Sequence, residues 1–139
     1  MVAAMVPKVG ESPGQWWADT GWEQARQAQL QASNRPQGID VMEDFFHDVS
    51  PDVTAAAFAR GERYQSGAIV DRPYPMPPCP DVPTRFVLCR NDRFFPAPFM
   101  RKLVTERLGI VPDELDSGHL AALAHPKELA DRLDSYRLK

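Results

Sequence analysis

The stretch from residue 85 to residue 139 alternates strand and helix signals, and this order constrains the fold more than any other feature of the sequence. Residues 85–89 form a short apolar run typical of a buried strand, and a polar turn leads from it into a helix predicted over about residues 98–108. A second short strand is predicted at residues 112–115, and a last helix from residue 126 onward. Strands joined through helices form parallel sheets with right-handed crossovers, so this order predicts an α/β fold.

Each predicted strand of this stretch is followed by a residue that can carry acid–base chemistry. Asp92 comes just after the first strand, and His119 follows the second strand in the turn Asp116-Ser117-Gly118-His119. The carboxyl ends of parallel strands meet at one edge of the sheet, so we expect the two side chains to lie close together. Taken singly, Asp92 is typical of a turn and His119 of a satisfied surface or core histidine. Together they favour a catalytic pair, because a bonded carboxylate fixes the imidazole tautomer and stabilises the imidazolium.

The sequence contains no nucleophile for this pair. No Gly-x-Ser-x-Gly motif occurs in the 139 residues. The six serines lie in ordinary turn, cap or helix contexts: Ser12, Ser33, Ser50, Ser66, Ser117 and Ser135. Since an acid–base pair without its nucleophile retains only modest acceleration, we expect the chain by itself to be inactive in acyl transfer.

The first part of the sequence predicts one short strand and two helices. Residues 2–6 are small and apolar, which suits a buried strand. Residues 15–32 favour a helix that is broken at Thr20-Gly21, and Ser50-Pro51 begins a second helix that runs to about residue 60. The proline run over residues 73–83 must be extended. Because buried parallel strands usually have helices on both sides in sequence, a chain that begins within one suggests a truncated or mis-started coding sequence.

Four segments of the sequence together resemble a known family. They are Arg85-Phe86-Val87-Leu88-Cys89-Arg90-Asn91-Asp92-Arg93-Phe94-Phe95-Pro96, Arg107-Leu108-Gly109-Ile110, Gly118-His119 and Pro126-Lys127-Glu128-Leu129-Ala130. These segments closely resemble the C-terminal part of α/β-hydrolases, in the branch of small esterases related to plant methyl esterases and hydroxynitrile lyases. In that family the acid follows the penultimate strand, and the histidine precedes a Pro-x-x-Leu helix. The resemblance implies that Asp92 is the triad acid and His119 the triad base.

The resemblance also implies a division of the chain and a partial α/β-hydrolase fold, with few parallel strands, flanking helices and a mainly helical lid insertion. Residues 1–9 would be a core strand, residues 10–80 the lid, and residues 81–139 the C-terminal part of the hydrolase core. The strands would expose an unpaired edge, which predicts possible self-association. Four aromatic residues are candidates for a substrate pocket beneath the lid, although aromatics at helical spacing more often form plain core. They are Trp16, Trp17, Phe45 and Phe46.

The function that the resemblance implies is the hydrolysis of small carboxylic esters through an acyl-enzyme. His119 would act first as general base and then as general acid, with Asp92 orienting it. Two alternatives stay open. One is a lyase similar to hydroxynitrile lyases, in which the histidine moves a proton without acyl transfer. The other is a non-catalytic remnant that binds a small aromatic ligand or a complementing chain.

Composition excludes several other classes. The net charge of −3 and the scattered lysines and arginines argue against a nucleic-acid partner. No apolar run approaches the roughly 18 residues of a membrane span, which predicts a protein with no membrane partner. Cys79 and Cys89, the only two cysteines, form neither a disulfide framework nor a metal-ligand spacing, and we expect buried thiols in a reducing, cytoplasmic compartment. No compact ligand set predicts a metal, and no motif predicts a cofactor.

Overall fold

A computed structural model describes residues 1–61, 65–74 and 82–137 of the protein. The helices are α1 (Pro13–Asp19), α2 (Trp22–Ala32), α3 (Val41–Phe45), α4 (Pro51–Phe58), α5 (Ala68–Asp71), α6 (Ala97–Leu108), α7 (Ala121–Ala124) and α8 (Pro126–Ser135), and the strands are β1 (Val87–Cys89) and β2 (Asp113–Leu115). The predicted mixture of helices and parallel strands is confirmed. Most of the proline run lies outside the described residues, and so does the predicted buried thiol of Cys79.

The two strands pair in parallel, with Val87 opposite Asp113 and Cys89 opposite Leu115. Helix α6 connects them, so this part of the chain has the predicted order of strand, helix and strand. Both faces of β1 are covered, because Leu88 packs in one apolar cluster and its neighbours Val87 and Cys89 pack in the other. The carboxyl ends of β1 and β2 therefore lie side by side at a single edge of the sheet.

The predicted core strand over residues 1–9 is reduced to one parallel bridge between Val2 and Val87. Ala3 donates a hydrogen bond of 3.1 Å from its backbone nitrogen to the Val87 oxygen, but its own φ of 40° lies in the left-handed region. This backbone conformation interrupts the extended chain that a strand requires. The Val6 oxygen then accepts a 3.2 Å hydrogen bond from the indole Nε1 of Trp16.

The helix boundaries follow local signals in the sequence. The predicted break at Thr20-Gly21 is confirmed, since Gly21 has a φ of 78° and separates α1 from α2. The predicted start of α4 at Pro51 is also confirmed, with Ser50 as its N-cap residue. No helix among residues 1–61, 65–74 and 82–137 is long and apolar enough to cross a membrane.

Candidate acid–base site

Asp92 and His119 meet at the sheet edge. His119 Nδ1 lies 2.8 Å from Asp92 Oδ2, and the Asp92 side chain is 2% exposed. The two turns that carry these residues are joined by backbone hydrogen bonds, because the nitrogen of Arg90 donates to the Leu115 oxygen at 2.9 Å and that of Asn91 donates to the Ser117 oxygen at 3.0 Å. The parallel register of the strands thus brings the carboxylate to the imidazole.

The second oxygen of Asp92 is held by the backbone. Asp92 Oδ1 accepts hydrogen bonds of 2.8 Å from the backbone nitrogens of both Phe94 and Phe95. These donors offset the cost of burying the carboxylate, and they keep it an acceptor. The hydrogen-bond network therefore assigns the imidazole proton to Nδ1 of His119, which leaves a free lone pair on Nε2. In this tautomer Nε2 can accept a proton.

Three phenylalanine rings surround the imidazole of His119. Its ring centroid lies 5.1 Å from that of Phe45, 5.5 Å from that of Phe94 and 5.2 Å from that of Phe95. Each pair has an edge-to-face arrangement. Apolar surroundings lower the local dielectric, which strengthens the attraction between the carboxylate and an imidazolium.

The four aromatic residues predicted to bind substrate lie in different surroundings. Phe45 contacts His119, as described above, whereas Phe46 packs on Phe58 with a centroid distance of 5.1 Å. Trp16 is 0% exposed within the core, and Trp17 is partly buried against it, with ring centroids 4.8 Å apart. The structure thus brings Phe45 to the acid–base pair, and the part of all four in substrate binding stays a prediction.

Ser117 and Cys89 lie near the pair, but neither is placed as its nucleophile. Ser117 is 0% exposed, and its hydroxyl donates to the Gly118 oxygen at 3.0 Å. Burial, together with the negative charges of Asp92 and Asp48, raises the pKa of the Cys89 thiol to about 12, so the sulfur stays protonated. Within the described ranges, no serine hydroxyl forms a hydrogen bond to His119.

Asp48 is a residue of the site that the sequence did not reveal. Its Oδ2 accepts a hydrogen bond from the backbone nitrogen of Gly118, next to His119. A Cβ atom at Gly118 would overlap the side chains of His47 and Asp48, so only glycine permits this close approach. The His47-Asp48 pair therefore supports the turn that carries His119. No group of three metal-ligating side chains occurs in the part of the chain that the structure describes. A glycine directly before the histidine was the only local signal of this contact.

His47 makes the stability of the fold depend on pH. Burial lowers the pKa of His47, and the nearby charge of Arg93 lowers it further, while its Nδ1 has no hydrogen-bond partner among the described residues. A histidine with a lower pKa in the folded state adds stability above its unfolded pKa, and this stability is lost as the pH falls through the folded value.

We therefore expect the free energy of unfolding to fall between about pH 7 and pH 5, and we expect His47→Gln to make this decrease smaller. Urea unfolding followed by circular dichroism at both pH values measures the difference. His125→Gln makes the same change in a histidine whose side chain is 34% exposed, and it serves as the control for the loss of a histidine ring. An unchanged slope in His47→Gln would contradict the prediction.

No protein-family model and no curated protein matches the chain. The chemistry of the site is therefore inferred from three features of its geometry. These are a buried carboxylate, an imidazole with a defined tautomer, and apolar surroundings.

Proposed function

We propose that Asp92 and His119 are the acid and base of a nucleophile–histidine–acid triad in an α/β-hydrolase that acts on small carboxylic esters. The observation that carries this proposal is the 2.8 Å contact between His119 Nδ1 and Asp92 Oδ2, with the other carboxylate oxygen held by two backbone nitrogens. In this proposal another polypeptide segment supplies the serine nucleophile, because no Gly-x-Ser-x-Gly motif occurs in these 139 residues. Residues 81–139 are then the C-terminal part of the hydrolase core.

In the completed site, His119 Nε2 takes the proton of the serine hydroxyl while the serine oxygen bonds to the ester carbonyl carbon. The alcohol then leaves with that proton, and an acyl-enzyme remains. Water attacks the acyl carbon, and His119 takes a proton from the water and returns it to the serine oxygen as the acid is released. Asp92 stays ionised throughout and stabilises the imidazolium that forms twice in each cycle.

The placement of Phe45 supports the lid part of the proposal. Phe45 is the last residue of α3 and belongs to the segment over residues 10–80, yet its ring lies against His119. A helical segment that covers the base is what a lid over an ester-binding pocket requires. Trp17 and Phe46 belong to the same segment, and their place in the apolar lining of this lid region is part of the proposal.

A chimera tests the proposal. The N-terminal half of a small methyl esterase, up to and including its nucleophile helix, is fused to this chain and treated with a fluorophosphonate probe. We expect the chimera to be labelled at the esterase serine and the chain alone to be unlabelled. His119→Ala should lower the rate of labelling by about 10,000-fold, the upper end of what a general base contributes, because Asp92 cannot take the serine proton in its place.

His125→Ala is the matched control for this experiment, since the His125 side chain is 34% exposed and its ring nitrogens lie near Asp48 and Glu128 instead of Asp92. It should change the rate of labelling by less than about twofold, within the range expected of a residue outside the reaction. A chimera that is folded by circular dichroism and labelled equally fast in His119→Ala would refute the proposed role of the pair.

A further inference from the structure

Helix α2 donates three side-chain hydrogen bonds to consecutive backbone oxygens of the loop that contains Asp92. The bonds run from Trp22 Nε1 to the Phe94 oxygen, from Arg26 Nη1 to the Arg93 oxygen and from Gln29 Nε2 to the Asp92 oxygen, each 2.8 Å long. The donors are spaced by four and three positions, which places them on one face of the helix. One helix face thus binds three successive peptide groups of this loop.

Trp22 acts on a peptide group that also binds the catalytic carboxylate. The oxygen of Phe94 and the backbone nitrogen of Phe95 belong to the same peptide group, and this nitrogen donates to Asp92 Oδ1 at 2.8 Å. A peptide group is planar and rigid, so a bond that fixes its oxygen also fixes the direction of its N–H. Trp22 therefore fixes the direction of the Phe95 N–H, one of the two hydrogen-bond donors to Asp92.

Arg26 acts on the neighbouring peptide group in the same way. It binds the oxygen of Arg93, and the nitrogen of that peptide group, on Phe94, is the other donor to Asp92 Oδ1. Arg26 is 4% exposed, and its Nη2 lies 2.8 Å from Asp44 Oδ2, which holds the guanidinium in place. Hydrogen bonds that run in one direction polarise one another, so the guanidinium strengthens the hydrogen bond from the Phe94 N–H to Asp92 Oδ1.

We propose that Trp22, Arg26 and Gln29 are positioning residues that hold the Asp92 carboxylate where Oδ2 accepts the proton of His119 Nδ1. This inference rests on the proposed function, because a fixed imidazole tautomer matters only to a pair that transfers protons. Since α2 lies within the proposed lid, the lid segment sets the geometry of the catalytic base.

Trp22→Phe tests this inference without any turnover. The substitution keeps an aromatic ring against Phe94 and removes the indole donor. In the chain as it exists, solvent exchange of the His119 Hδ1 proton and of the Phe95 amide is measured by NMR. Both should become about tenfold faster, as expected for the loss of one hydrogen bond. The amide of Val104, a core residue of α6 that is 0% exposed, reports global opening and should keep its exchange rate.

Gln27→Met is the control on the same helix, because Gln27 is exposed and its amide donates to Glu23 of α2 at 3.3 Å. Gln29→Met is a second variant. It removes the donor to Asp92 and also removes a buried Oε1 that has no partner among the described residues, so global stability should change little. It should also speed the exchange of His119 Hδ1 relative to the amide of Val104.

The inference is overturned if neither Trp22→Phe nor Gln29→Met speeds the Hδ1 exchange relative to the amide of Val104, or if Gln27→Met speeds it equally. These outcomes are separate from those of the chimera. The exchange measurement reports the Asp92–His119 bond whether or not a serine completes the site, and the chimera reports proton transfer whether or not α2 holds the loop.

Discussion

Asp92→Asn is expected to lower kcat of the esterase chimera by about 10,000-fold, because it imposes the wrong tautomer on His119. The structure dictates how the asparagine amide must lie. The position of Asp92 Oδ1 faces the backbone N–H groups of Phe94 and Phe95, so only the amide oxygen can occupy it. The amide NH₂ must then face His119 Nδ1, which becomes an acceptor, and the proton moves to Nε2. A protonated Nε2 cannot take the proton of a serine.

Two measurements check this expectation. Hydrolysis of p-nitrophenyl acetate by the chimera gives the loss in kcat, and ¹⁵N NMR of the histidine ring in this chain alone reports which nitrogen carries the proton. Asp116→Asn is the matched control, since Asp116 lies on the same sheet edge with a side chain that is 73% exposed and paired with Arg90. It should leave kcat within about twofold, as usual for an exposed position away from the reaction. Retention of Nδ1 protonation in Asp92→Asn would contradict the argument.

The proximity of Asp92 and His119 could be predicted from the sequence, because regular structure carries both residues. Asp92 and His119 each follow a strand, and parallel pairing of Cys89 with Leu115 brings the two strand ends together. The alternation of strand and helix after residue 85 was visible in the same way. Local pattern and sheet geometry sufficed for this part of the site.

The supports of the pair could not be predicted, because they join segments that are distant in sequence through single side chains. Asp48 reaches the backbone of Gly118 across 70 positions, and Trp22 reaches Phe94 across 72. Asp48 looks like any surface acid next to a histidine, and nothing in its neighbourhood in the sequence indicates a backbone nitrogen as its partner. The tertiary fold alone creates such contacts.

The surroundings of the aromatic residues could not be predicted either, because residue type alone does not show which side chains an aromatic ring contacts. Trp16 was named from the sequence as a candidate for a substrate pocket, and the structure places it in the core with 0% exposure. Its neighbours are Trp17, Phe95 and Phe99, all in edge-to-face contact. Apolar composition likewise predicted a strand over residues 2–6, but the left-handed backbone at Ala3 interrupts it.

Trp16→Ala is expected to lower the free energy of unfolding by about 3–5 kcal/mol, the usual cost of replacing a buried large aromatic residue by alanine. The change leaves a cavity among the rings of Trp17, Phe95 and Phe99 and removes the indole donor to Val6. Domains have total stabilities of about 5–15 kcal/mol, so much of the fold's stability would be lost.

Urea unfolding followed by circular dichroism measures this loss, with Phe58→Ala as the control. Phe58 is 51% exposed, and its replacement should cost less than about 1 kcal/mol. A loss below about 1 kcal/mol in Trp16→Ala would mean that the ring contributes little to the core and would favour the pocket role instead. Phe95 packs against Trp16 and also donates its backbone N–H to Asp92, so the core and the Asp92 carboxylate share one loop.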